Sequence, residues 1–482
     1  MIWSEHQEAI YSAVAANEQH LMCNSVAGSG KTVTGTEAIK RAPGRTKLAV
    51  AYNIAAKDNL RVRLPEEVDV RTFHSLGNER LRETCKRFTI DKDKYYDLIG
   101  LWLRDHERAW RDAMSWRDAH RYLQQLTDYK RLTFGRTVGL AAYDLAHDPV
   151  FWEAALQIIE RGDSIADEDG IIDYTDQLWL PYSWKLPAAY YDYVLVDEVQ
   201  DLSPAARHLV MSCVKPENGR LLGLGDPKQS ISLWCYAALH SFELTRDTLA
   251  AKELPLSVSY RCPLSHVALA QELVPQIQAR EGAPEGHIEH VEWFTDVIPQ
   301  LRRGALVICR TNQPLIAAAA SLIKRRIAAK VRGREIGRGI TGFVSDSAEA
   351  FGWDSPERSL EQLRDQKLAR VASLKRPAEL IQGINDTWLG AQACVEGFYD
   401  LALNKGSLLQ AIQGLFSDEG SAEVWLSSVH RAKGLEADDV AILGPSALEG
   451  AKARTKDQAE QEANLKYVAL TRSREKLFFV GE

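Results

Sequence analysis

The chain has 482 residues, 45% hydrophobic and 26% charged, and its 66 acidic and 59 basic side chains give a formal net charge of −7. That length exceeds what one hydrophobic core serves, so several domains are expected. The composition is that of a globular protein, and no apolar run is long enough to span a membrane. The acidic balance excludes a protein that coats nucleic acid through a global positive field, so any nucleic-acid site must be a local groove.

The N-terminal stretch MIWSEHQEAI lacks the basic region and apolar core of a secretory signal. The seven cysteines are scattered and form no CxxC pair. This argues for reduced thiols in a cytosol and against zinc or iron–sulfur sites. In chain order, LMCNSVA (21–27), KLAVAYN (47–53) and VDVRTFH (68–74) are short apolar runs separated by helical or turn-rich segments, the rhythm of a parallel α/β sheet. From about 80 to 165 the texture becomes long, charged and Trp-rich, as in LWLRDHERAWRDAMSWRDAHRYLQQL, and reads as a helical insertion. The strand rhythm resumes at YDYVLVDEVQ (191–200) and RLLGLGD (220–226). A second α/β block follows: ELPLSVSY (253–260), ALVICRT (305–311), EVWLSSVH (423–430), VAILGP (440–445) and KLFFV (476–480), interrupted by a mixed polar segment.

The expected organisation is therefore a first sheet domain at 1–80 and 166–252 with an insertion at 81–165. A second sheet domain is expected at 253–335 and 422–482, with an insertion at 336–421.

SVAGSGKT (25–32) follows an apolar run and precedes VTGTEAIKRA, a plausible helix. Gly28 and Gly30 let the backbone of Ala27, Gly28, Ser29 and Gly30 curl so that successive N–H groups point at phosphate oxygens. Lys31 supplies charge to the β and γ phosphates, and the Thr32 hydroxyl can ligate Mg²⁺. Ser25 stands where the strict pattern has glycine. In the second run, YVLV ends abruptly in Asp197, Glu198, Gln200 and Asp201. Phosphate-loop NTPases end a strand in an acid that holds Mg²⁺, usually through water. Asp197 is placed for that role, and Glu198 to orient and deprotonate an attacking water. A solvated strand end with an acidic cap is the alternative.

DEVQD (197–201) together with AGSGKT (27–32) resembles the superfamily 1 DNA helicases of the UvrD, Rep and PcrA type, and the resemblance extends along nearly the whole chain. It implies two RecA-like parallel-sheet P-loop domains, each with a mainly helical or mixed insertion, that clamp Mg·ATP between them while single-stranded DNA crosses their tops. Gln7 lies where this family reads adenine, although Ser4-x-x-Gln7 is also a helix capping box. AYNIAAKDNL (51–60) and RTFHSLG (71–77) resemble the DNA segments of the first domain. That assigns Tyr52, Asn53, Thr72, Phe73 and His74 to the strand, with core aromatics as the alternative. IDYTDQLWLP (172–181) resembles the family's acidic stretch; Asp173 and Asp176 receive no chemistry, since a turn explains them equally well.

In GLGDPKQSISLW (223–234) the resemblance makes Gln229 the γ-phosphate sensor and Trp234 a base stacker. Cys235, Ser232 and Ala51 depart from the best-known members, all on the DNA side. In LSVSYRCP (256–263) it places Tyr260 on adenine and Arg261 on the γ-phosphate, a role that suits the permanently charged guanidinium fork. SSVHRAKGLEADDV (427–440) puts His430 and Lys433 on the DNA side and Glu436 at the ribose. NLKYVALTRSREKLFFV (464–480) supplies Arg472 as a second γ-phosphate arginine. TFHSLG and GDPKQSI lean towards the compact F-box-type DNA helicase branch and its phage or bacterial relatives.

KRRIAAKVRGREIGR (324–338) carries seven basic residues against one acid and suits a phosphate track, or else a solvated helix face. The resemblance implies an ATP- and Mg²⁺-dependent 3′–5′ translocase and helicase acting on single strands and single-/double-strand junctions in a bacterial or phage-infected cytosol. It implies a monomer or weak associate, possibly with a single-strand-binding or recombination protein as partner, and no membrane. An alternative is a single-strand-stimulated ATPase that strips nucleoprotein filaments with little unwinding.

Overall fold

The structure, a computed structural model, describes residues 3–84, 87–111, 115–135, 148–231, 240–371, 377–398, 404–416, 421–449 and 455–481. Two compact units emerge: Met1–Tyr260 with Arg454–Gln461, and Arg261–Ala453 with Glu462–Glu482.

The first unit is built on strands β1 (Leu21–Ser25), β2 (Lys47–Ala51), β3 (Val68–Thr72), β4 (Tyr193–Val196), β5 (Arg220–Gly225) and β6 (Lys252–Leu256). They pair in the order β3-β2-β4-β5-β1-β6, parallel throughout. β4 is buried along its whole length, as a strand covered on both faces must be, and this is why such strands read as unbroken apolar runs. Two apolar clusters cover the faces, one centred on Ile10, Ile39, Leu195 and Leu224, the other on Leu48, Phe73, Val196 and Leu209. β6 corrects one expectation. ELPLSVSY was expected to open the second sheet, but Lys252–Leu256 pairs with β1 as an edge of the first. An edge strand carries the same local pattern as the opening strand of a new sheet, and pairing partners are not written in either.

Helices α1 (Glu5–Ala16), α2 (Lys31–Arg41), α3 (Ile54–Arg63) and α4 (Phe73–Thr84) connect or flank the early strands. A helical block follows: α5 (Lys94–Asp105), α6 (Trp116–Thr133) and α7 (Pro149–Glu168). It has its own core, including Tyr95, Ile99, Leu123, Leu126, Phe151 and Ile158. A short parallel pair, Thr89–Ile90 with Ile171–Ile172, closes its base.

The block is also held by charge, through the segment that leads into α8 (Asp176–Ser183). Arg131 is fully buried and meets Asp173 at 2.8 Å, Asp176 at 3.0 Å and Asp128 at 2.7 Å. Lys94 meets Asp176 at 2.6 Å, and the Arg131 guanidinium lies 3.6 Å from the Tyr95 ring centroid. The two aspartates, which received no chemistry from the sequence, are thus partners in a buried ion cluster.

The second unit carries β7 (His287–Val291), β8 (Ala305–Cys309), β9 (Ala329–Val331), β10 (Val424–Ser428), β11 (Ala437–Leu443) and β12 (Ser473–Val480). Their order is β7-β12-β11-β8-β10-β9, again parallel. The edge strands β7 and β9 escaped the sequence reading because they are short or half-exposed and lack a continuous apolar run. Helix α9 (Gln313–Lys324) precedes β9. The described part of segment 336–421 is mostly helix: most of α10 (Arg334–Phe351), then α11 (Pro356–Val371), α12 (Pro377–Phe398) and α13 (Lys405–Leu415). Their Ile340, Phe343, Val344, Leu360 and Cys394 share one core with Val307 and Leu426 of the sheet and Leu315 of α9. The basic stretch 324–338 is not a single helix face. It runs from the end of α9 through β9 into α10, and Arg332 stacks over the Trp425 ring at 4.7 Å.

Candidate active site

Every expected site residue described in the first unit, except Gln7, lies at or just beyond the carboxyl end of a strand. That is where ligands bind in parallel α/β sheets. Beyond β1, Gly28 and Gly30 have φ of 71° and 77°, conformations open to glycine and strained for other residues. The turn ends at Gly30, the N-cap of α2, which leaves the first amides of that helix free to face an anion. Ser25 is no flaw: it ends β1, is buried, and donates from its hydroxyl to the Gly225 carbonyl at 2.5 Å. The Tyr260 N–H donates to the Gly28 carbonyl at 2.8 Å, and the Tyr260 ring stays exposed.

β4 and β5 present the acids. The Thr32 hydroxyl donates to Asp197 Oδ2 at 3.2 Å, joining the loop to the end of β4. Burial, reinforced by neighbouring Glu198, pushes the Asp197 carboxyl up to about 7 against the opposing pull of Lys31 and the Thr32 hydrogen bond. A hydroxyl and a buried carboxylate that a cation would hold ionised fit a hard divalent ion, which takes oxygen ligands and completes its shell with phosphate and water. Among the described residues no group of three or more His, Cys, Asp or Glu side chains could hold a metal by itself.

Glu198 departs from strand geometry with φ 58°, a left-handed backbone that is strained in a residue with a Cβ. It caps the turn Val199–Asp201. Its carboxylate accepts from the Gln200 amide, whose carbonyl accepts from the Asp226 N–H at 3.1 Å. Asp226, at the end of β5, also accepts from Gln229 Nε2 at 2.6 Å, and burial raises its pKa. Lys31, Thr32, Asp197, Glu198 and Gln229 are therefore gathered over three strand ends. Gln200 and Asp226 join them; neither had been assigned a role, although Asp226 follows an apolar strand just as Asp197 does.

Other placements differ from expectation. Gln7 is buried, and its amide is engaged at both ends: Oε1 accepts from Ser4 N–H at 3.0 Å and Nε2 donates to the Thr34 hydroxyl at 3.0 Å. The capping box is real, and it does not exclude adenine reading, since the amide keeps one lone pair and one proton beyond these two bonds. Phe73 is a correction: at 3% exposed it belongs to the core with Leu76 and Leu178, so it offers no face to a base. Thr72 is also mostly buried and exchanges hydrogen bonds with Ser75. Tyr52 and His74 are exposed, and Asn53 caps α3 by accepting from Ala56 N–H at 2.8 Å. Trp234, Ser232 and Cys235 lie outside the described residues.

In the second unit Arg261 contacts Glu436 at 2.5 Å and donates to the Thr471 carbonyl at 3.2 Å. Arg472 is almost fully buried, donating to the carbonyls of Val468 and Leu435 and to the Thr471 hydroxyl. His430 lines a polar pocket of about 370 Å³ with Arg310, Asn312, Ser428 and Arg431, at the ends of the neighbouring strands β8 and β10. Arg310 makes a two-point contact with Glu462, and Arg431 pairs with Glu335. Burial, then the Arg310 charge, lowers the His430 imidazole to about 4 despite Glu462. Lys433 lies three residues on and is half-buried. Arg310 and Asn312 went unassigned, though RTN directly after ALVIC repeats the strand-then-polar signal. No described helix is long and apolar enough to cross a membrane.

The family model of the UvrD/REP helicase N-terminal domain matches residues 5–250, and that of the UvrD-like helicase C-terminal domain matches 423–480. F-box DNA helicase protein 1 of Schizosaccharomyces pombe is 22% identical over 507 aligned residues, covering 95% of this chain. The chain spans 55% of that relative's length. An arterivirus nonstructural protein 10 (helicase) crystal structure aligns over 98% of this chain and 61% of its own, at 12% identity and a TM-score of 0.35. Nothing below rests on so low a score.

Proposed function

The chain belongs to the UvrD/REP helicase family, whose domains imply a DNA helicase, and from that premise we propose an ATP-driven motor that steps along single-stranded DNA and separates duplex. The observation that carries this reading is the joining of the phosphate loop to the acids through Thr32 and Asp197, with Glu198 beside them. The loop amides and Lys31 hold the β and γ phosphates. Thr32 and Asp197 would hold Mg²⁺, which neutralises phosphate charge when bound. Glu198 aligns a water and takes its proton as that water attacks the γ-phosphorus, and the bond from that phosphorus to the β–γ bridging oxygen breaks to release ADP. Gln229, Arg261 and Arg472 are the proposed γ-phosphate contacts, and Tyr260 stacks on the base. Tyr52, Asn53, His74, His430 and Lys433 are the proposed DNA contacts, now joined by Arg310. Movement is read as 3′–5′ by family resemblance. A reducing, cytosolic setting is the proposed one; the five described cysteines are buried and none of them is in a disulfide.

The test is steady-state ATPase activity with and without oligo(dT), beside Lys31→Ala and Glu198→Gln. Stimulation by DNA is expected, with loss of at least about a hundredfold in turnover for Glu198→Gln at retained ATP affinity. Near-normal turnover in that variant would sink the assignment. Duplexes tailed on either end then read unwinding and direction. DNA-stimulated hydrolysis without strand separation would favour filament clearance instead.

A further inference from the structure

We propose that Gln200 is the positioning residue of the hydrolytic site, holding the Glu198 carboxylate in its working orientation by tying it to the backbone of the turn that begins at Asp226. The inference rests on the ATPase reading above and deepens it.

Gln200 is fully buried, and the chemistry of its neighbours fixes which way its amide faces. The Asp226 N–H can only donate, so the group 3.1 Å from it is the amide oxygen. The NH₂ end then faces Glu198 Oε2 as donor, with Asp201 Oδ2 as a second, longer acceptor at 3.5 Å. One side chain thus accepts from the end of one strand and donates to the acid at the end of the next. The Ser230 hydroxyl, donating to the Gln200 carbonyl at 3.3 Å, fastens the same turn a second time.

Glutamine suits the position and its neighbours in size do not. Asparagine is one methylene short. Glutamate would face a carboxylate with a carboxylate. Alanine would leave the buried Asp226 N–H without its acceptor. The space is shaped around the amide: a Cβ on Gly225 would come within 2.7 Å of Gln200 Oε1. The left-handed backbone of Glu198 means that no regular strand geometry aims its side chain, so its direction depends on what it bonds to. Gln200 therefore makes the carboxylate of Glu198 sensitive to any shift of residues 226–229.

The test uses the full chain and four measurements: ATP turnover, equilibrium binding of a fluorescent ATP analogue, circular dichroism, and a double mutant. Gln200→Ala is expected to lower kcat roughly 10- to 100-fold, the scale of a misplaced catalytic group, with analogue affinity and helix content kept. Combined with Glu198→Gln it should cost nothing further, because its effect runs through that carboxylate. Gln200→Glu keeps shape and the Asp226 acceptor, and should also lose turnover. Gly225→Ala, which pushes the amide oxygen, should move kcat the same way. Normal kcat in Gln200→Glu overturns the proposal, as does a Gln200→Ala loss that multiplies in full on Glu198→Gln. If Lys31→Ala retains the wild-type ATPase rate, the hydrolysis reading falls, and this inference with it. If Lys31→Ala and Glu198→Gln behave as expected while the Gln200 variants do not, only the positioning role is lost.

Discussion

The two helical blocks are attached to their sheets by different physics. The block of α5, α6 and α7 has a core of its own and meets the segment before β4 through a buried cluster of Arg131, Lys94, Asp173 and Asp176. Helices α10 to α13 have no such separation, since Ile340, Phe343 and Leu360 pack in the same apolar cluster as Val307 and Leu426. An apolar junction tolerates small adjustments, because dispersion contacts are many and weak. A buried ionic junction does not: each charge needs its partner in place, and a partial break leaves an uncompensated ion in low dielectric. The first block is thus a self-supporting piece on a rigid clasp, the second a continuation of its sheet's core.

The largest expected effect tests that clasp. Arg131→Ala should cost about 3–5 kcal/mol of unfolding free energy, since it leaves Asp173 buried without its cation and Asp176 with Lys94 alone. Urea denaturation gives the magnitude, and proteolysis should show the new cleavage concentrated in the α5–α7 block. Cleavage spread evenly over the chain would break the comparison. Ile340→Val should cost about 0.5–1.5 kcal/mol. Hydrogen exchange should weaken β8 and β10 together with α10; weakening of α10 alone would show that the second block is independent after all. The smallest effect at neutral pH belongs to His430, whose pKa falls from the ordinary 6.5 to about 4. Between those values the unfolded chain binds a proton that the folded chain refuses, so stability is lost as pH falls through 6.5 towards 4 and is unaffected above. His430→Asn should flatten that acid slope in denaturant melts at pH 7 and pH 5. An unchanged slope would place the acid sensitivity elsewhere, with His74 and His266, also lowered by desolvation, as the next candidates.

Strands such as β4 and β11 were legible because burial on both faces leaves an unbroken apolar run, and the phosphate loop because its glycines and Lys31 sit at fixed spacing. What escaped notice depended on partners distant in sequence. β6 reads like the start of a new sheet until it is paired with β1. Arg131 looks like a solvated helix charge until Asp173, 42 residues on, is brought to it. Phe73 looked available because an aromatic at a strand end serves a core or a ligand equally well, and only its 3% exposure decides. Gln200 was visible inside DEVQD, but its role depends on the Asp226 N–H, which no local pattern announces.

The position of β1 carries a consequence for how the chain is made. Leu21 has its register partners at Leu222 on one side and Lys252 on the other. At a synthesis rate of about 5–20 residues per second, the first strand waits roughly 12–46 s for both neighbours to be made. During that time its apolar residues stay uncovered, and the glycine turn that follows has no sheet to hold its shape. Pairings this distant in sequence also carry a large loop-closure cost, which slows folding. The nucleotide loop, which precedes most of its unit's strands in the chain, is therefore among the last parts of that unit to take shape, and ATP is a ligand that the nascent chain meets late.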